Sequence, residues 1–193
     1  MLGYGIFTSR PDLLMQVDPQ RRFLTWALTG FAVGNILFGG LAVVAEALLR
    51  NGLTAFRALG AVYLVSLGSE LMGTGWGVPF GPYAYTTLLG PKLFGLVPPL
   101  IPVSWFTVSW ASWVIARQRT SGIRAILVGT ALLIAWDLLL DPAMSKGNHY
   151  WFWREAGSYY GMPLLNLFGW SVTGFVIFLI LSKIAAEPKS TIS

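Results

Sequence analysis

Five stretches of this chain are apolar for long enough to cross a bilayer, and that property restricts its possible folds more than any other. A helix needs about 20 mainly apolar residues to span the hydrocarbon core. The runs fall at residues 23–49, 54–72, 94–116, 123–140 and 164–184. Without water to satisfy backbone groups, single segments of this length cross as helices. Composition agrees: 55% of residues are hydrophobic and 11% charged, with mean hydropathy +0.64, whereas a water-soluble domain carries roughly 25% charged residues. The expectation is an all-α integral membrane protein of about five transmembrane helices, multi-pass in the plasma membrane. All 193 residues are read as a single transmembrane domain. Residues 1–22 hold Gly3, Gly5, Pro11, Pro19 and scattered charges, and read as an interfacial lead-in, not a cleavable signal. Residues 185–193 read as a polar tail.

Two connecting segments differ from the rest. Residues 73–92 run Gly-Thr-Gly-Trp-Gly-Val-Pro-Phe-Gly-Pro-Tyr-Ala-Tyr and on to Gly90-Pro91-Lys92. Residues 143–163 hold His149, Tyr150, Trp151, Trp153, Tyr159 and Tyr160. The first is neither a helical pattern nor a hydrophilic tether, with no charge before Lys92, and the second is an aromatic loop. Both read as Gly/Pro-rich aromatic loops capping the membrane surface. Pro98, Pro99 and Pro102 predict a late or kinked start to the third helix. Five crossings put both loops on the side of the N-terminus. Lys and Arg divide seven against six between the two sides, and the compact loop of Arg117, Arg119 and Arg124 favours its own side as cytoplasmic. Glu46 and Arg50, four apart, read as an ion pair at the membrane edge.

The net charge of +5 is spread over loops and ends. It suits a lipid bilayer with anionic headgroups and offers no basic run for nucleic acid. The chain has no cysteine and one histidine, His149. Thiolate metal sites and histidine-rich iron centres are therefore excluded. Gly73, Gly75 and Gly77 give G-x-G-x-G, the wrong spacing for a dinucleotide fingerprint. Chemistry without a metal or a bound redox cofactor is expected.

The candidate chemistry lies in three carboxylates. Asp137 and Asp141 close the fourth run as Trp136-Asp137-Leu138-Leu139-Leu140-Asp141, followed by Pro142. Four positions are about 40° of rotation on a helix, so both point to one face. Pro142 disfavours helical geometry at Asp141 and is expected to end the helix there. The negative end of the helix dipole lies at this point, which suits a proton donor. Glu70 lies near the exit of the second run, which travels toward the same side. The three should converge beneath the aromatic loops, and carboxylates inside a membrane mark functional sites. The bland alternative pairs them with Lys92, Lys146 or Arg154.

Trp76, Tyr83, Tyr85, Trp136, Trp151, Trp153, Tyr159 and Tyr160 belong individually to the interface belt of any membrane protein. Over acids they fit something narrower. Aromatic faces stabilise cations by about 0.5–2 kcal/mol each, and protonation of an alkene makes a carbocation. Asn166, one turn before Trp170, either orients a water or satisfies a helix contact.

At these residues the sequence resembles the carotenoid-biosynthesis membrane proteins of the CruF type. One block is Glu70 with Gly73-Thr74 and Gly77-Val78-Pro79-Phe80-Gly81-Pro82-Tyr83-Ala84-Tyr85. A second is Trp136-Asp137 through Asp141-Pro142-Ala143-Met144, and a third runs from Trp151 through Tyr159-Tyr160-Gly161-Met162-Pro163 to Asn166 and Gly169-Trp170. Together they cover about residues 64–172; the first sixty residues match nothing in the pattern, and the chain is short for the family. The resemblance implies a carotenoid 1,2-hydratase, adding water to the terminal double bond of an acyclic end group. Lycopene, γ-carotene or a bacterioruberin precursor is the implied substrate, and other enzymes of the carotenoid pathway are implied partners.

Hydration needs a general acid, a cation-tolerant pocket and an oriented water. In this reading one of Asp137 and Asp141 donates the proton and Glu70 positions or deprotonates the water. Trp76, Tyr83, Tyr85, Trp136, Trp151, Trp153, Tyr160 and Asn166 hold the substrate. Rival readings are a carotenoid cyclase, in which an internal double bond captures the cation, and a non-catalytic carotenoid- or lipid-binding protein. A proton-coupled transporter is disfavoured by the absence of a repeat. A magnesium-dependent prenyl-transfer enzyme is disfavoured because only one acidic pair, Asp137-x-x-x-Asp141, is present.

Overall fold

A computed structural model describes residues 22–147 and 149–185. The expected lead-in and tail therefore lie almost wholly outside the described residues. Five long helices are present: α1 (Arg22–Asn51), α2 (Thr54–Trp76), α3 (Leu100–Arg119), α4 (Gly122–Asp141) and α5 (Leu164–Ile184). Two short strands, β1 (Tyr83–Tyr85) and β2 (Trp151–Trp153), lie in the loops after α2 and α4. The chain is an all-α integral membrane protein. The segments Gly30–Asn51, Thr54–Trp76, Gly122–Lys146 and Leu164–Ile184 are long and apolar enough to cross a membrane.

The less apolar helix, α3, touches all four others and buries most of its length, including Trp105, Phe106, Trp110 and Trp113. A helix screened from lipid by its neighbours need not be apolar all round. One of its polar groups bonds across to α1, where Trp110 Nε1 donates to Glu46 Oε2 at 2.6 Å. Glu46 also accepts from Arg50 Nε, the ion pair read at the membrane edge. The triple-proline segment delays the start of α3 to Leu100, six residues later than the apolar run begins.

One boundary differs from the sequence reading, and a second is followed by a turn that the reading did not include. Helix α2 does not stop at Met72 but continues through Gly73-Thr74-Gly75-Trp76. Thr74 Oγ1 bonds back to Glu70 O at 2.8 Å, and Gly77, at φ 76°, closes the turn with its N–H on Gly73 O at 2.9 Å. The α-helix of α4 ends at Asp141, where Pro142 predicts its end, but the winding does not stop there. Asp141 is helical, and the chain continues as one wider π-turn, Pro142–Gly147. Proline has no N–H to donate to Leu138 O, the carbonyl four residues back. Tyr159 O–H fills that place at 3.0 Å, so the carbonyl is not left bare.

Strands β1 and β2 pair antiparallel, with Tyr83 opposite Trp153, Ala84 opposite Phe152 and Tyr85 opposite Trp151. The two aromatic loops thus form one cap on one side of the bundle. Alternation along a strand turns Tyr83, Tyr85, Trp151 and Trp153 to one face and Phe152 to the other. Phe80 anchors the cap from below by wedging between α2 and α5. A Cβ at Gly73 would meet Phe80 Cδ2 at 2.7 Å, and one at Gly169 would meet Pro79 O at 2.9 Å. Replacing Gly169 by Ala should cost about 1–3 kcal/mol of stability by lifting Phe80 out of this seat. Gly68→Ala, where nothing lies within 4 Å, should be neutral to slightly stabilising. Thermal unfolding of both variants in detergent checks the contrast; equal behaviour would show that Phe80 is not an anchor.

Candidate active site

Helices α2 and α4 both run toward the cap, and their last turns carry Glu70 and the pair Asp137/Asp141. All three side chains are buried and line one cavity of about 600 Å³. Among the described residues none of the three has a cationic partner, and the one ion pair lies at Glu46–Arg50. Lys92, offered by sequence as a counter-ion, donates to Tyr85 O instead. The carboxylates are held by neutral donors.

Those donors come mainly from the ribbon. The hydroxyls of Tyr83 and Tyr85 both donate to Glu70 Oε2, the second at 2.7 Å, and Trp105 Nε1 donates to Oε1 at 2.8 Å. On the neighbouring strand Trp151 Nε1 donates to Asp141 Oδ1 at 2.8 Å and Trp153 Nε1 to Oδ2 at 3.2 Å. Ser145, in the π-turn, adds a weaker contact to Oδ2 at 3.4 Å. Asp137 is treated differently. Its Oδ2 accepts from Asn166 Nδ2 at 2.8 Å, and that is its one hydrogen bond among the described residues. Three donors on Glu70, three on Asp141 and one on Asp137 leave Asp137 with the most acceptor capacity for another partner.

Outside the helices, burial and then the adjacent Glu70 carboxylate push the phenols of Tyr83 and Tyr85 well above their usual range. Both therefore stay protonated donors at any ordinary pH. Much of the rest of the wall is aromatic. Tyr83 lies 5.1 Å from Trp153 between ring centroids, and Trp105 stacks on Trp170 at 4.1 Å with 22° between planes.

Of the residues singled out by sequence, Glu70, Asp137, Asp141, Tyr83, Tyr85, Trp136, Trp151, Trp153 and Asn166 all face this cavity. Trp76 and Tyr160 do not. Trp76 rides the last turn of α2, which was read as loop, and is 80% exposed. Tyr160 sits at φ 51° in the second loop, packs edge-on against Tyr159 and is 61% exposed. His149 is exposed, with Nδ1 against Ser145 O at 3.1 Å. Sequence reasoning missed Trp105, Phe80 and the α1 wall, where Phe31 and Asn35 face the carboxylates' cavity. An asparagine inside an apolar run was the available signal for Asn35. Nothing local ties residue 105 to residue 70.

Comparison with known proteins gives the same direction. Over 131 residues the chain is 34% identical to a protein of Haloarcula japonica named bisanhydrobacterioruberin hydratase. The match covers 64% of this chain and 43% of that relative, so the chain spans less than half the relative's length. No solved structure matches. The carotenoid biosynthesis protein family matches over residues 30–192, and the chain belongs to that family.

Proposed function

We propose that the protein is a carotenoid hydratase of the cell's plasma membrane, adding water to the terminal double bond of an acyclic carotenoid end group. The observation that carries this reading is a buried acid with spare hydrogen-bonding capacity, Asp137, in an aromatic-rich cavity where no described residue is a cationic partner for it. The similarity to a named hydratase supports the reaction class. The geometry favours Asp137 over Asp141 as the proton donor, because both oxygens of Asp141 are engaged by tryptophan N–H groups.

In this mechanism Asp137 passes its proton to the less substituted alkene carbon. The positive charge then rests on the tertiary carbon, facing the rings of Tyr83, Trp136 and Trp153. Water attacks that carbon and gives a proton to a neighbouring carboxylate, leaving a tertiary alcohol. Glu70 is the base in this scheme: its three donors fix its position, while a carboxylate has about four acceptor sites, one of which can hold the water. Asn166 holds Asp137 in register. The reaction consumes one water and no reducing equivalent, so the residues named suffice. Lycopene, γ-carotene and a bacterioruberin precursor are the substrates to test, and association with other enzymes of the pathway is part of the proposal.

Asp137→Asn should lower turnover by about 10²–10⁴-fold while leaving carotenoid binding and the folded state intact. Glu70→Gln and Asp141→Asn should also impair it; full activity in all three amides would sink the mechanism. Alkaline titration gives an independent check on the Glu70 cluster. Two of the seven tyrosines should stay un-ionised in ultraviolet absorbance beyond pH about 10, and should titrate earlier in Glu70→Gln. Stability supplied by those two neutral phenols is complete below pH about 10 and is lost above it, because only the unfolded chain ionises there. Seven tyrosines ionising together in the folded protein would contradict the burial of this cluster.

A further inference from the structure

Among the described residues, no helix closes one side of the cavity. Its lining includes Phe31 and Asn35 of α1 and Trp136 and Leu140 of α4, yet α1 and α4 do not touch among the described residues. Helix α3 packs against both and floors the gap. Its α1-facing side is identified by Val103 and Thr107, which lie beside Gly40, and by Trp110, which donates to Glu46. Turning away from that side, Ser104 and Val108 are half-buried and line the cavity. Ala111 and Ile115 continue the same helical face, and they are exposed on a helix whose other residues are buried or half-buried until its last turn. The flanks of the cavity mouth are exposed as well, with Phe31 at 70% and Trp136 at 46%.

We propose that this gap is a lateral binding groove for the chain of an elongated polyene, whose reacting end occupies the acid cavity. The inference rests on the hydratase reading for its ligand and adds where the remainder of the molecule goes. The cavity's lining on α1 runs from Ala27 to Ile36, about 14 Å at the helical rise, too short for an extended polyene of carotenoid length. The rest of the chain must leave the cavity, and the capping ribbon blocks the aqueous side. The gap over α3 leads instead into the bilayer core. From Ser104 to Ile115 it runs about 16 Å at the helical rise, and beyond Ser104 its floor is the apolar face of Val108, Ala111 and Ile115. The same opening delivers the substrate from lipid and lets the more polar alcohol leave by the same route.

The test separates chain binding from chemistry. Ala111→Trp and Ile115→Trp fill the groove without touching the cavity, and Leu179→Trp adds the same bulk at an exposed position of α5 outside it. In lipid nanodiscs, lycopene binding is measured by quenching of tryptophan fluorescence, and hydration of a ten-carbon acyclic isoprenoid hydrocarbon by product analysis. The groove predicts at least tenfold weaker lycopene binding in Ala111→Trp and a smaller loss in Ile115→Trp. It predicts no change in Leu179→Trp, and a long-to-short substrate preference that falls with the binding. Unchanged lycopene binding in Ala111→Trp, or an equal loss in Leu179→Trp, overturns the groove. If the parent protein binds lycopene but hydrates neither hydrocarbon, the hydratase reading fails, while the binding comparison still decides the groove.

Discussion

The structure depends on keeping three carboxylates out of water with no cation beside them among the described residues. An unpartnered acid in a low-dielectric interior is costly, and here the compensation comes from phenol and indole donors delivered by two strands of three residues each. Pairing β1 with β2 sets the register that aims Tyr83 and Tyr85 at one acid and Trp151 and Trp153 at another. A two-stranded ribbon is marginal alone in water. Its anchorage is the set of hydrogen bonds it makes to the helix ends, and Phe80 seated between Gly73 and Gly169. Fold and site are therefore the same object: loosening the cap exposes the acids, and removing the acids leaves the cap's polar groups without partners.

The unequal sharing of donors has a chemical consequence. An acid that must give up and regain a proton works best with a free oxygen aimed at its substrate. An acid that must hold a fixed position works best when saturated. Asp137 and Asp141, four residues apart on one helix, fall on opposite sides of that division because only Asp141 reaches the tryptophans of β2. The π-turn after Asp141 contributes by placing Ser145 against the same carboxyl. Wider turns of this kind recur at functional sites.

Much of this was legible in the residues. Apolar run length located the helices, and the bounds of α5 are those of its run. Counting crossings brought Glu70 to the side of Asp137 and Asp141, where one cavity holds all three. What failed did so for local reasons. Three glycines in five residues read as the end of α2, yet Thr74 bonding back to Glu70 and the late Gly77 cap carry the helix on to Trp76 and turn that side chain outward. Pro142 does end the α-helix, but the π-turn beyond it was not legible, because the sequence does not reveal that Tyr159 takes over the vacant carbonyl. Trp105 and the α1 wall escaped because an apolar helix presents similar residues to lipid, to protein and to a cavity.

The most direct test of the central claim is anaerobic incubation of the purified protein in lipid with lycopene, γ-carotene and bisanhydrobacterioruberin in heavy-oxygen water, followed by mass spectrometry of the carotenoids. The account predicts at least one product heavier by one water, with the heavy oxygen on a tertiary carbon of the end group. An isomer of unchanged mass would mean that an internal double bond captures the cation, as in a cyclase. Recovery of all three carotenoids unaltered would contradict the assignment of the acid cavity to hydration.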